Sequence, residues 1–215
     1  MDVFVLNQQN SIANHFLAEL RDRNLQEDRM RFRANMIRLG EIMAYEISKK
    51  MRYSPTSIQT PLKETTISIL KEHPILITVL RAGLPYFQGF LNYFDRSDAG
   101  FIGAYRKEGQ VEVIVQLDYL ATPSLLGKQV ILIDPMLATG NSFIRSITEL
   151  VKRGRPAHIY IAAMVAAPEG IKNLMEHIEV PYSLFTLSID EKLNDESYIV
   201  PGLGDAGDLS FGVKS

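Results

Sequence analysis

One stretch of this chain holds residue types suited to gripping a phosphorylated sugar. Ile131-Leu132-Ile133-Asp134-Pro135-Met136-Leu137-Ala138-Thr139-Gly140-Asn141-Ser142 reads as an apolar strand running into a small-residue loop and then a helix. In such a loop Ala138, Thr139, Gly140 and Ser142 let successive backbone N–H groups turn into one concavity, beside the positive end of a helix. The hydroxyls of Thr139 and Ser142 add short donors, so the nest suits a terminal phosphate dianion. Asp134, where the strand ends, can accept hydrogen bonds from two sugar hydroxyls. The loop lacks the Gly-Lys-Ser/Thr of a nucleoside-triphosphate P-loop, and it is not a Gly-x-Gly-x-x-Gly dinucleotide turn. The plainer reading of the same residues is an ordinary strand–loop–helix connection capped by an Asn or Ser.

Two other segments carry compatible chemistry. Leu80-Arg81-Ala82-Gly83-Leu84 follows an apolar run, and a guanidinium next to an Ala-Gly turn offers charged donors and nearby N–H groups to a pyrophosphate. On its own Arg81 reads equally as a solvated strand end. Near the C-terminus, Tyr198-Ile199-Val200-Pro201-Gly202-Leu203-Gly204-Asp205-Ala206-Gly207-Asp208 combines a proline with Gly202, Gly204 and Gly207, which forces a tight, exposed backbone turn. Fixed N–H and C=O groups in such a turn can read a flat heterocycle without side chains. His15, His73, His158 and His177 lack metal-ligand grouping and read as structural or surface residues.

These segments need a frame. The chain has 215 residues, 46% of them hydrophobic and 22% charged, which suits a soluble globular domain and excludes disordered and fibrous classes. Lys and Arg total 23 against 25 Asp and Glu, a net charge of -2. That balance argues against a nucleic-acid groove and leaves basic residues to act locally on small anions. The absence of cysteine removes disulfides, thiolate nucleophiles and cysteine metal sites together. Met1–Ser11 lacks the pattern of a signal peptide, and the most apolar runs, Pro74–Leu80 and Ile159–Ala167, fall short of the roughly 20 residues that span a bilayer. The expectation is a cytoplasmic protein that binds neither membrane nor nucleic acid.

From Glu27 to Ser48, the residues Met30, Phe32, Ala34, Ile37, Ile42, Met43 and Ile47 recur near helical spacing. This predicts a helix packed on the core or on a second copy of the chain. Ser54-Pro55 through Thr60-Pro61 reads as a break. Beyond it Ile75–Leu80, Val130–Ile133, Ile159–Val165 and Leu184–Ile189 are strand-like, Gly89–Tyr93 falls within a helix, and Asn141–Lys152 is a helix ending at Gly154. Phe101–Tyr105 and Val111–Leu117 flank Arg106-Lys107-Glu108-Gly109-Gln110 as a hairpin with a polar turn. Strands alternating with helices predict an α/β fold, with a mainly parallel central sheet flanked by helices and ligands at the carboxyl ends of its strands.

Set on such a sheet, the motifs acquire a family likeness. Asp134–Gly140 resembles the phosphoribosyl-pyrophosphate (PRPP) motif of uracil phosphoribosyltransferases, where a single acid stands at a position that many relatives using other bases fill with two. Tyr198–Asp208 resembles the same family's base-binding segment, Leu80–Leu84 its pyrophosphate loop, and Tyr105-Arg106 its second PRPP-contacting arginine at the base of a mobile hairpin. Arg31-Phe32-Arg33, Tyr45-Glu46, Val165–Gly170 and Ser188-Ile189-Asp190 match as well, so the likeness runs from about Asp28 to Gly212. It implies a type I phosphoribosyltransferase-like fold in one domain over 1–215, with a helical N-terminal segment (about 8–50), a β-hairpin arm and a C-terminal base-binding hood (about 190–215). It also implies transfer of 5-phosphoribosyl from PRPP to N1 of uracil, giving UMP and pyrophosphate. Mg²⁺ would be bound mainly through PRPP, with no protein metal site.

By the same resemblance, Arg81, Arg106, Asp134, Pro135, Met136, Leu137, Ala138, Thr139, Gly140, Asn141, Ser142 and Asp205 contact PRPP. Ile199, Gly204, Asp205 and Ala206 contact uracil, largely through backbone atoms. Asp205 and Arg106 are the catalytic candidates, Asp205 as a stabiliser of a cationic ribose and Arg106, with Arg81, as a stabiliser of the departing pyrophosphate. A rigid backbone edge matched to uracil would leave a group unpaired with cytosine, at a cost of roughly 1–3 kcal/mol. GTP acts as an effector in parts of the family, and a homodimer or larger homo-oligomer is expected. Three positions depart from the pattern: Asn141 is usually Gly, Ala121 stands where a Lys is usual, and Leu209 replaces a basic residue. Two alternatives stay open: a regulatory nucleotide sensor that binds RNA, which the net charge opposes, and a phosphoribosyltransferase for another base.

Overall fold

The computed structural model describes residues 2–106 and 115–213, without the side chains of 104–118. Asp2–Val5 forms a short strand, β1, absent from the sequence reading. Two helices follow, α1 (Ala13–Arg21) and α2 (Arg29–Ser48). The Asp28 side chain accepts from the Arg31 N–H and caps α2. The buried face of α2 runs through Phe32, Met36, Leu39, Gly40, Met43 and Ile47. Met30, grouped with that face on spacing, is 73% exposed, because two residues before Phe32 lies about 200° around the helix.

The proline-bounded stretch differs most from expectation. Tyr53–Gln59 (β2) and Glu64–Leu70 (β3) pair antiparallel over their whole length, where a simple break was expected. No residue of either strand is buried, so the apolar alternation that announces a strand is missing. A two-stranded ribbon consists only of edges, and Pro55 is tolerated there.

The main sheet is built from β4 (Ile75–Leu80), β5 (Ala99–Arg106), β6 (Val115–Ala121), β7 (Gln129–Ile133), β8 (Met136–Leu137), β9 (His158–Ala166) and β10 (Tyr182–Ile189). Helices α3 (Leu84–Tyr93), α4 (Asn141–Lys152) and α5 (Pro168–His177) connect them. A small ribbon, β11 (Lys192–Leu193) with β12 (Ile199–Val200), leads to α6 (Ala206–Phe211). The order across the sheet is β1-β10-β9-β7-β4-β5-β6, with β8 beside β9. Every neighbouring pair is parallel except β5 with β6. That pair forms the expected antiparallel strands in a shifted register: Arg106, read as the first turn residue, stands in β5 opposite Val115, and β6 runs to Ala121 rather than Leu117; residues 107–114 lie outside the described residues.

The strands are apolar on both faces, as a doubly covered parallel sheet requires. Ile131 and Ile133 of β7 join the core under α2 and α3, while Val130 and Leu132 join the core under α4 and α5. Gly40 and Gly89 let α2 and α3 approach closely, since a Cβ on either would run into backbone of the other helix. The chain passes from β4 outward to β5, then returns to build β7, β9 and β10 on the other side of β4. This reversal places a crevice at the carboxyl ends of β4 and β7, where open α/β sheets bind ligands. Among the described residues no helix is long and apolar enough to cross a membrane.

Candidate active site

Leu80 ends β4 and Ile133 ends β7, and Thr78 pairs in register with Ile133. Arg81 and Asp134 therefore leave adjacent strands at the same edge. The buried Thr78 hydroxyl donates to the Ile133 carbonyl at 3.1 Å and ties the two strand ends together. Gly83 keeps the Arg81 turn low, because a Cβ there would collide with the Thr78 hydroxyl. Arg106 is the last residue of β5, the next strand along.

The loop after β7 is more tightly built than a free nest. The Asp134 N–H donates to the Ala162 carbonyl at 3.1 Å, and Asp134 is only 9% exposed. Its Oδ1 accepts the Met136 N–H at 3.3 Å. The Pro135 carbonyl accepts the Met164 and Val165 N–H groups, and the Leu137 carbonyl accepts that of Ala167. Met136 and Leu137 thus form β8 rather than open loop, and the Leu137 and Ala138 side chains pack in the core. Gly140 takes a left-handed conformation, φ 83°, and opens α4. The N–H groups of that first helical turn have no partners within the helix, as at any helix N-terminus.

The loop is braced from behind by α5. Asn173 Nδ2 donates to the Thr139 carbonyl at 2.7 Å and to Asn141 Oδ1 at 3.0 Å. Gly170 lies so close to the loop that a Cβ would run into the Ala138 carbonyl. Asn141, the unusual residue, is thereby fixed to the brace. The other departures differ in consequence: Leu209 packs on the core and over Gly204, whereas Ala121 simply ends β6 opposite Phe101.

The C-terminal segment folds back over the Arg81 turn. Arg81 Nη2 donates to Asp208 Oδ1 at 2.8 Å and to the Gly212 carbonyl at 3.1 Å. Arg81 Nε is buried with no hydrogen-bond partner among the described residues. Where Gly207 stands, a Cβ would touch Ala82 at 3.7 Å. The turn before α6 uses Gly202 at φ 59° and Gly204 at φ 89°, and the Ile199 carbonyl leaves no room for a side chain at Gly202. Ile199 and Ala206 bury their side chains in the core, so either could offer a ligand only its backbone. Asp205 is exposed, and its Oδ1 accepts the Gly207 and Asp208 N–H groups at 2.8 and 2.9 Å, capping α6.

Arg81, Asp134–Ser142 and Gly204–Ala206 are thus gathered around one strand edge; the Arg106 side chain lies outside the described residues. Sequence reasoning gave no role to Asp208, Asn173 or Gly170, although Asp208 and Gly170 lay within motifs that were recognised. A cleft of about 790 Å³ lined by Lys50, Arg52, Lys71, Gln129, His158 and Tyr160 opens at the opposite, amino end of β7 and β9. Volume alone does not make it the site, since the phosphate-suited loop and the strand crossover face the other way.

On this doubly wound α/β fold, one crossover crevice thus gathers a phosphate-suited loop, a cation and a glycine-rich backbone turn. A family profile described as "Uracil phosphoribosyltransferase" matches residues 7–213. Curated proteins of that name are 42% identical in Porphyromonas gingivalis, covering 100% of both chains, and 37% identical in Sulfolobus acidocaldarius, covering 99% of this chain and 100% of that one. A solved structure from Aquifex aeolicus is 30% identical, with a TM-score of 0.87 over 98% of each chain. The chain belongs to the uracil phosphoribosyltransferase family.

Proposed function

We propose that this protein transfers the 5-phosphoribosyl group of PRPP to N1 of uracil, giving UMP and pyrophosphate. The observation that carries this reading is the contact of Arg81 with Asp208, together with Gly207 against Ala82. It supports a reading in which Arg81, as the cation for pyrophosphate, and the C-terminal turn, as the reader of the base, lie side by side near the Asp134–Ser142 loop. Group transfer needs its donor and acceptor held in that way.

In the reaction the bond from ribose C1 to pyrophosphate breaks, with its electron pair leaving on the pyrophosphate. N1 of uracil supplies the pair for the new bond and loses its proton. Positive charge builds on the ribose between the two events, so the site works by positioning and electrostatics. Backbone N–H groups of Ala138–Ser142, with the Thr139 and Ser142 hydroxyls, hold the 5-phosphate. Asp134 holds the ribose hydroxyls, Arg81 and Arg106 stabilise the departing pyrophosphate, and Asp205 faces the cationic ribose. Backbone atoms of Ile199, Gly204 and Ala206 read uracil, with Asp205 beside them.

Among the described residues no group of three or more His, Cys, Asp or Glu could hold a metal, and one carboxylate, Asp134, precedes the loop. That donor set fits Mg²⁺ carried mainly by the oxygens of PRPP. Bound there, Mg²⁺ would neutralise charge on the diphosphate.

The reading includes one domain across the chain, a cytoplasmic location and a homodimer or larger homo-oligomer. Exposed apolar residues on the β2–β3 ribbon, Tyr53, Ile67 and Ile69, support self-association. GTP is an effector to test in the same assay.

The deciding experiment incubates the protein with PRPP, Mg²⁺ and, in turn, uracil, cytosine, hypoxanthine and orotate, and measures pyrophosphate release. Release with uracil alone is expected. Release with a different base would reassign the substrate, and none with any base would favour a nucleotide sensor.

A further inference from the structure

We propose that Arg21, Gln26 and Asp190 form a clamp that holds the base-reading turn in register, making them positioning residues for uracil. The inference rests on the uracil reading above. A turn that reads a base with its backbone cannot set its own geometry through the same atoms. The setting comes from outside.

Asp190 Oδ2 accepts the Gly202 N–H at 2.8 Å. Arg21 Nη1 donates to the Gly202 carbonyl at 3.3 Å. Gln26 Nε2 bridges the Leu20 carbonyl at 2.7 Å and the Leu203 carbonyl at 3.2 Å. Both backbone groups of Gly202 and the carbonyl of Leu203 are thus held by side chains. Gly204 and Asp205, next along the chain, are left exposed.

The clamp is itself rigidly mounted. Arg21 meets Asp190 bidentately, Nη1 to Oδ2 at 2.9 Å and Nη2 to Oδ1 at 2.6 Å. The Ser188 hydroxyl adds a third side-chain donor, to Oδ1 at 2.8 Å. The Asp190 N–H donates to the Ala166 carbonyl at 2.8 Å and fixes the carboxylate to the carboxyl end of β9. An ion pair this buried gives little net stability over apolar packing, whereas its fork geometry fixes direction. α1 and the loop after it thereby transmit the position of the sheet to the hood.

The test is steady-state kinetics of the whole protein with Gln26→Ala, Arg21→Lys and Asp190→Asn, varying uracil and PRPP separately and comparing uracil with cytosine. Loss of one such hydrogen bond should raise the KM for uracil roughly fivefold. The KM for PRPP should stay within about twofold, an indifference expected of a site that shares none of these bonds. Turnover of uracil relative to cytosine should fall in the same variants. If Asp190→Asn does not fold, Gln26→Ala, which leaves the ion pair intact, decides the matter. An unchanged KM for uracil with a lowered thermal midpoint would make the residues merely structural and overturn the proposal, as would parallel changes in both KM values. No pyrophosphate release by the unaltered protein with uracil would remove the functional reading and the clamp with it. Normal release with variants that keep their KM for uracil would remove the clamp alone.

Discussion

The Asp205 carboxylate caps α6 through the Gly207 and Asp208 N–H groups, so deleting it would remove a cap together with a charge. Asn caps about as well as Asp. Asp205→Asn should therefore leave the thermal midpoint nearly unchanged while lowering kcat roughly tenfold, the loss expected when a charge stabilises the cationic ribose. Asp205→Ala should cost about 1 kcal/mol of stability in addition. An Asn variant with normal kcat and a raised KM for uracil would move Asp205 to base binding. Arg81 offers a second residue-scale test, because its guanidinium meets the C-terminal segment at Asp208. Arg81→Ala should raise the KM for PRPP roughly tenfold or more, and ordinary PRPP saturation would contradict its role.

At the scale of elements, the Asp134–Ser142 loop owes its shape to α5 as much as to its own residues. Asn173 holds both the Thr139 carbonyl and the Asn141 side chain. Asn173→Ala should raise the KM for PRPP roughly fivefold, as for loss of a partly buried hydrogen bond, with the KM for uracil little changed. Kinetics with each substrate varied in turn would check it. The run from Ile131 to Lys152 was legible in the sequence because strand, loop and helix follow one another and each carries a local signal. The brace was not legible, since Asn173 stands 34 positions from Thr139 and an exposed helix could have placed it anywhere. Asp208 was visible within a motif, but its pairing with Arg81 spans 127 positions. The β2–β3 ribbon escaped for the opposite reason: its pairing is local, yet it buries no face from which a pattern could arise.

For the whole molecule, carboxylates held ionised by their partners set the acid limit of stability. Burial pushes the Asp190 carboxyl up, but Arg21, Ser188 and the Gly202 N–H together hold it below its usual value. Hydrogen bonds from Arg31 and Asn35 hold the Glu19 carboxyl at about 2. A group depressed in the folded state contributes stability above its unfolded value, about 4 for such acids, and loses it as pH falls through the folded value. His158 follows the same sign: burial lowers it, against the nearby Asp2 charge, which raises it. Its contribution is present above about 6.5 and is lost as pH falls through its folded value. The thermal midpoint should therefore decline gently on acidifying from neutrality and steeply below about pH 4. Asp190→Asn, where it folds, should flatten the steep limb, and a limb of unchanged slope in calorimetric scans would detach Asp190 from it.

The bonds that hold the hood join residues far apart in the chain: Arg33 with the Ser210 carbonyl, Gln26 with that of Leu203, and Arg21 with that of Gly202, separated by 177, 177 and 181 positions. On the ribosome, the helices that support the hood are therefore made well before the residues they hold. A nascent chain stopped before Ile199 would already carry the Asp134–Ser142 loop, yet it would have neither the Gly202–Ala206 turn nor the Asp208 partner of Arg81. On the proposed reading, the site for joining the two substrates is complete only when the hood closes over helices made long before it.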